Sequence, residues 1–158
     1  MTLYAKDVMV TSFETIHQNA PIEQAIQKIL NGRVRKTGHK TISLIVLDDY
    51  GNLAGVITMW DILYNLRPDF LNLCFDADKL PWEGQLKILV KKLNTKKVKQ
   101  LMSTNVLNAS ADDHIIVLLD KMIKSKIHRL PVLQANRPIG IIYISDVYNS
   151  IFNENDKG

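Results

Sequence analysis

At 158 residues the chain has the length of one domain and can bury a sizeable core. Its composition, 46% hydrophobic and 23% charged, is that of a globular protein rather than a disordered or fibrous one. It has no apolar run near the roughly 20 residues of a membrane span, no basic-then-apolar leader, and a lone cysteine, Cys74, that can form no internal disulfide; the expected compartment is therefore the cytoplasm, with no membrane contact. The net charge of +4 has a local source: residues 86–102 carry six lysines (87, 91, 92, 96, 97 and 99) and no acid. Such a run reads as a solvated helix face, or as a contact for phosphates, nucleic acid or an acidic partner.

The predicted elements follow one order twice. Asn19-Ala20-Pro21 opens a helix, because proline is tolerated in a first turn. Its apolar face is read as Ile22, Ala25, Ile26, Ile29 and Leu30, and Gly32 ends it. Residues 31–41 are basic and glycine-bearing and read as a mobile loop. Ser43–Leu47 is a short, partly β-branched apolar strand, residues 48–52 a turn, and Leu53–Thr58 a second strand making a hairpin with the first. Met59–Leu66 is a helix. Residues 67–98 are too many for a bare loop in a compact domain, and 85–93 have helical apolar spacing, so this connector is partly helical.

In the second half Ser110-Ala-Asp-Asp113 reads as a capping pattern. The helix after it has Ile115, Ile116, Leu119, Met122 and Ile123 as its apolar face. Residues 130–133 form a strand, with Pro131 at an edge or leading position. Residues 136–138 turn the chain, 139–143 form a strand, 145–152 a helix, and 153–158 a polar tail expected to fray.

The repetition extends to particular residues. Lys6-Asp7-Val8-Met9 returns as Lys99-Gln100-Leu101-Met102, and Gly55-Val-Ile-Thr58-Met-Trp-Asp61 returns as Gly140-Ile-Ile-Tyr143-Ile-Ser145-Asp146. The offset is 93 between the methionines and 85 between the aspartates, so the first half carries insertions, mostly in 31–41. Repeats of this length read as two similar halves about a pseudo-two-fold axis, not as solenoid units. A cleft between such halves is a natural ligand site, with Asp61 and Asp146 expected to face it. The expected organisation is 1–66 and 99–152 as the two motifs, 67–98 as connector and 153–158 as tail.

This pattern, a Lys-x-φ-Met lead, then helix, strand, strand and Gly-φ-φ-Thr-x-x-Asp before a final helix, resembles the CBS motif, and the tandem resembles a CBS pair or Bateman module. The resemblance covers residues 5–66 and 98–152, and His128-Arg-Leu-Pro-Val132 before the last hairpin adds to it. It implies an α/β fold of two strand-helix-strand-strand-helix motifs related by the pseudo-two-fold axis. It further implies a stand-alone regulatory module, not an enzyme, with no required cofactor. Its ligand would be an adenosine compound (AMP, ADP, ATP or S-adenosylmethionine) whose bound state is relayed to a regulated partner protein, and the module would pair into a homodimer through its helices. The family places adenine between the leading strand and the first hairpin strand. That implicates Thr11 to Phe13 with Leu44, Ile45 and Val46 in one site, and Asn105, Val106 and Leu107 with Leu130, Pro131 and Val132 in the other.

The chemistry of the matching residues agrees. Asp61 and Asp146 fall in the first turn of a helix, where a carboxylate can accept from both hydroxyls of a ribose and the helix N–H groups favour a phosphate. Thr58 adds a hydroxyl, and Gly55 and Gly140 permit close backbone approach at the strand. Thr-x-x-Asp at a helix start is also a capping box that needs no ligand. The second copy has Tyr143 where the first has Thr58, a departure from the family pattern that sets the two sites apart; Ser145 can take over as hydroxyl donor. His128 and Arg129 resemble the basic pair that reaches phosphates in nucleotide-binding relatives, arginine by its planar fork; Arg33 and Arg35 are weaker candidates. Nothing points to catalysis: His17, His39, His114 and His128 lack metal-ligand spacing, Cys74 reads as a buried hydrophobe, no phosphate-cradling glycine loop is present, and Trp60 and Trp82 read as packing residues. The rivals are an interaction and dimerisation module that has lost its ligand, with Tyr143 as plug, and nucleic-acid binding through the lysine-rich connector.

Overall fold

The computed structural model of the chain describes residues 2–32, 34, 42–73 and 76–154. The expectations for a loop over 31–41, for Arg33, Arg35, His39 and Cys74, and for the tail beyond 154 fall wholly or mostly outside these residues.

The elements in order are α1 (Ala5–Val8), β1 (Thr15–His17), α2 (Ile22–Leu30), β2 (Ser43–Leu47), β3 (Leu53–Thr58), α3 (Met59–Leu66), two short 3₁₀ turns (Asp69–Leu73 and Ala77–Lys79), α4 (Gln85–Leu93), α5 (Val98–Leu101), β4 (Ala109–Ser110), α6 (Ile115–Lys124), β5 (Arg129–Gln134), β6 (Arg137–Tyr143) and α7 (Ile144–Glu154). Two three-stranded sheets result, ordered β1-β2-β3 and β4-β5-β6. Strands β1 and β4 are too short to show alternation in sequence, and each pairs in parallel with the next strand, Ile16 opposite Val46 and Ala109 opposite Val132.

The chain divides into two compact units, one of Met1–Phe13, Tyr50–Leu53 and Asn105–Gly158, the other of Glu14–Asp49 and Ala54–Thr104. These units cut across the sequence repeats, because each holds the sheet of one repeat and the leading helix of the other. In the 14–104 unit, α5 is tied down by Val98 N–H to Ala20 C=O (3.0 Å) and Lys99 N–H to Gln18 C=O (2.9 Å), and Val56 and Ser103 exchange both backbone bonds at 3.0 and 2.9 Å. In the other unit α1 repeats this with Ala5 N–H to Asp113 C=O (2.8 Å), Lys6 N–H to Ala111 C=O (3.0 Å), and a reciprocal Val10–Ile141 pair at 2.8 and 2.9 Å. Each leading segment thus covers the outer edge of a sheet that would otherwise present unpaired N–H and C=O groups.

The cores follow. In the 14–104 unit Ile16, Ile22, Ala25, Ile29, Leu44, Val46, Ile57 and Ile62 pack with Val98 and Leu101 of the leading helix. In the other, Leu118, Met122, Leu130, Val132, Ile142 and Val147 pack with Ala5 and Val8.

Several expectations are corrected. Leu30 (58% exposed), Ile116 (59%) and Ile123 (62%) face outward. Helix α6 carries apolar residues almost all round, so its pattern does not select a face; Ile115, Leu118 and Met122, one turn apart, are the buried stripe. Its N-cap is His114, whose Nδ1 accepts the Ile116 N–H at 3.1 Å, and not the 110–113 stretch, where Asp113 instead accepts the Ser110 N–H at 2.9 Å. Trp60 is 79% exposed, whereas Trp82 does pack, stacked on Phe70. Pro131 lies inside the central strand β5. It is tolerated there because Ile141, opposite it, gives its N–H and C=O to Val10, so no ladder bond to β6 is lost. The last hairpin turns at Ala135 and Asn136, both at positive φ (50° and 64°), one residue earlier than expected.

Candidate functional site

In the 14–104 unit, strand β3 runs directly into α3 and Thr58 is the N-cap. The Thr58 hydroxyl oxygen accepts the Asp61 N–H at 3.1 Å, and Asp61 Oδ2 accepts both the Thr58 N–H (2.9 Å) and the Thr58 hydroxyl (3.0 Å). The capping box is therefore formed. Asp61 Oδ1 accepts the Ser103 hydroxyl at 3.2 Å. A carboxylate offers about four acceptor positions, and these contacts use three, so capping and ligand binding are compatible at this aspartate. The carboxylate is held in a fixed plane beside the positive end of α3.

Sheet alternation decides which other residues share this face. Leu44, Val46 and Ile57 point into the core, so Ile45, Val56 and Thr58 take the opposite face, Ile45 being buried there. Gly55 has the same role as expected from sequence, but the backbone that approaches it belongs to Ser103, whose carbonyl oxygen would lie 2.5 Å from an added Cβ.

In the other unit, Ser145 and Asp146 occupy the first turn of α7, both half-buried. The Ile144 N–H donates to the His128 carbonyl at 2.9 Å, and Arg129 pairs with Tyr143 in the β5–β6 ladder. The backbone thus gathers His128, Arg129, Tyr143, Ser145 and Asp146 at one end of the sheet. His128 is exposed, Arg129 half-buried and Tyr143 buried. Pro131 lies on the face away from the core, whereas Leu130 is fully buried within the core cluster. Val106 is half-buried in the same unit, its carbonyl accepting from Asn108 Nδ2 at 3.4 Å. Thr11 (exposed) and Phe13 (half-buried) follow Val10 in this unit, while Ile45, Thr58 and Asp61 belong to the other.

Ser103 escapes a reading from sequence. Its signal is positional: it follows the repeated Met102 as Val10 follows Met9, and it pairs with Val56 as Val10 pairs with Ile141. Among the described residues no group of three or more His, Cys, Asp or Glu could hold a metal ion, and no helix is long and apolar enough to cross a membrane.

The sequence matches the CBS-domain family model over residues 5–68 and 98–153. Among curated proteins it is 26% identical over 143 residues to the L-aspartate semialdehyde sulfurtransferase of Methanocaldococcus jannaschii, covering 90% of this chain and 22% of that protein. It is also 26% identical over 148 residues to a homoserine O-acetyltransferase of Methanococcus vannielii, covering 92% of this chain and 24% of that one. The chain thus spans about a quarter or less of these relatives. Among solved structures, a CBS-domain protein of Kribbella flavida superposes with a TM-score of 0.73 at 15% identity, over 94% and 98% of the two chains. A CBS-domain pair in complex with 5′-methylthioadenosine and S-adenosyl-L-methionine superposes at 0.66 and 22% identity, over 98% and 99%. A third, in complex with AMP, superposes at 0.69 and 21%, over 96% and 98%. With both of its repeats matched and its two sheets arranged alike, the chain belongs to the CBS-domain family.

Proposed function

We propose that this chain is a regulatory module, without catalysis of its own, that binds an adenosine-containing ligand (AMP, ADP, ATP or S-adenosylmethionine) at its aspartate-bearing helix starts and relays the bound state to a partner protein. The observation that carries this is Asp61: its carboxylate is held by three donors at the positive end of a helix and keeps an acceptor position for a ribose hydroxyl. Asp146 stands at the matching place in the second repeat, with Ser145, His128 and Arg129 at the same end of its sheet, and Arg129 is the residue suited to a phosphate. Two solved CBS-domain structures that hold AMP, or 5′-methylthioadenosine with S-adenosyl-L-methionine, support the ligand class. The curated relatives are enzymes by name, but the chain matches about a quarter or less of each, so their activities are not carried over to it.

A homodimer joined through helices accompanies this reading. Met59, Trp60, Leu63 and Tyr64 of α3, and Tyr148 and Phe152 of α7, are large apolar residues left exposed, the kind of surface that marks an interface. A ligand can shift such a module only by binding its two states with different affinity.

The test is a thermal-shift screen over AMP, ADP, ATP, NAD and S-adenosylmethionine. A ligand at 100 times its Kd should stabilise by about 2.7 kcal/mol, a rise in Tm of roughly 5–10 °C for a chain of this size. No shift with any of the five overturns the proposal.

A further inference from the structure

The two repeats differ in the residue that their leading segments set against the sheet edge, a position outside the Gly-x-x-x-x-x-Asp motif. At the outer edge of β3 the leading segment of the second repeat sets Ser103 against Val56, and the Ser103 hydroxyl reaches Asp61 Oδ1 at 3.2 Å. At the outer edge of β6 the equivalent place, opposite Ile141, is taken by Val10, which has no hydroxyl to give.

We infer that Ser103 is a positioning residue for Asp61, fixing the carboxylate so that the remaining acceptor position on Oδ1 meets a ribose hydroxyl. The inference rests on the reading of Asp61 as the ribose-binding residue. Its geometry is specific. The capping box holds only Oδ2, through the Thr58 N–H and hydroxyl. A carboxylate bound at one oxygen can still swing about its Cβ–Cγ bond, because that terminal torsion is broad. A donor on Oδ1 removes the swing. The backbone of Ser103 is itself clamped by the reciprocal Val56 bonds at 3.0 and 2.9 Å, so the hydroxyl is delivered from a fixed base. Pre-organisation of this kind raises affinity by lowering the ordering required at binding. It also makes the site in the 14–104 unit selective for ligands with intact ribose hydroxyls.

The experiment is calorimetric titration of the full chain with AMP and with 2′,3′-dideoxy-AMP, comparing wild type, Ser103→Ala, Ser103→Thr, Asp61→Asn and the Ser103→Ala/Asp61→Asn double variant. Ser103→Ala should weaken AMP about three- to ten-fold, the range for one net hydrogen bond, and leave dideoxy-AMP unchanged. Ser103→Thr, which keeps the hydroxyl, should restore AMP binding. The double variant should bind AMP no more weakly than Asp61→Asn alone, because Ser103 acts through Asp61. Equal losses for both ligands, no loss for AMP, or additive losses in the double variant overturn the inference. If Asp61→Asn discriminates between AMP and dideoxy-AMP and Ser103→Ala does not, this inference falls alone. If Asp61→Asn does not discriminate, or the wild type binds no adenosine compound, the functional proposal falls and takes the inference with it.

Discussion

Replacing Gly55 by alanine should destabilise the chain far more than the same change at its repeat partner Gly140. At Gly55 an added Cβ would lie 2.5 Å from the Ser103 carbonyl oxygen, with Met102 Sδ at 3.0 Å and Met102 Cγ at 3.2 Å. Ordinary contact begins at 3.4 Å, so a backbone oxygen would have to retreat by about 0.9 Å. That oxygen belongs to one of the two bonds joining Val56 and Ser103. At Gly140 the nearest atoms are all in the Met9 side chain: Sδ at 2.7 Å, Cγ at 3.0 Å and Cβ at 3.1 Å. The Met9 Sδ and Cγ can turn away, leaving its Cβ to give by about 0.3 Å, whereas a paired backbone oxygen cannot turn. Overpacking costs about 1–3 kcal/mol, and the weakened backbone bond adds up to about 1 kcal/mol. Against this, Gly→Ala narrows the unfolded ensemble by about 0.4–1 kcal/mol. The expected net loss is about 2–3 kcal/mol for Gly55→Ala and about 0–1 kcal/mol for Gly140→Ala. Guanidinium denaturation of both variants measures this, the midpoint moving at constant slope. Equal losses, or a larger loss at Gly140, would refute the idea that a backbone-clamped leading segment seals the edge of β3.

Two other consequences are simpler to test. Ala135 sits at φ 50°, where an L-residue is strained by about 1–2 kcal/mol and glycine is not, so Ala135→Gly should stabilise by about 0.5–1 kcal/mol after glycine's greater unfolded freedom is counted; thermal unfolding at a lower Tm than wild type would contradict that. Arg129→Ala should weaken AMP markedly and adenosine little, because only AMP offers an anionic partner, and paired titrations giving equal losses would point to an adenine contact or misfolding instead.

The fold was legible where short periodic signals were complete. Strands β2 and β3 and helices α3 and α4 fall on the residues their patterns indicate, because turn residues or a long connector bound each one. The repeat itself, read from two methionine leads and two aspartates, indicated the two sheets. What pattern alone could not carry was pairing between distant segments. Nothing in Lys6-Asp7-Val8-Met9 says that Ala5 and Val8 enter the core of the second repeat's sheet, because a four-residue helix has too little sequence to declare a partner. The buried stripe of α6 was ambiguous for the opposite reason, apolar residues being in excess. At the site, Thr58 and Asp61 were visible as a motif, and the capping-box reading holds, while Oδ1 is engaged by Ser103 and leaves the ribose reading compatible with the cap. Ser103 was invisible because its hydroxyl meets Asp61 across 42 residues, a contact that only the pairing of Val56 with the leading segment creates.

The most direct test of the account is a calorimetric titration of wild type and Asp61→Ala with the adenosine compound that gives the largest thermal shift. The carboxylate is expected to hold the ribose through charge-assisted bonds, so the variant should lose about 1.5–3 kcal/mol of binding free energy, roughly a 10- to 150-fold rise in Kd. Its unfolding transition should remain cooperative, since Thr58 can still cap α3 through its own hydroxyl. A folded Asp61→Ala variant that binds as tightly as wild type would contradict the central claim.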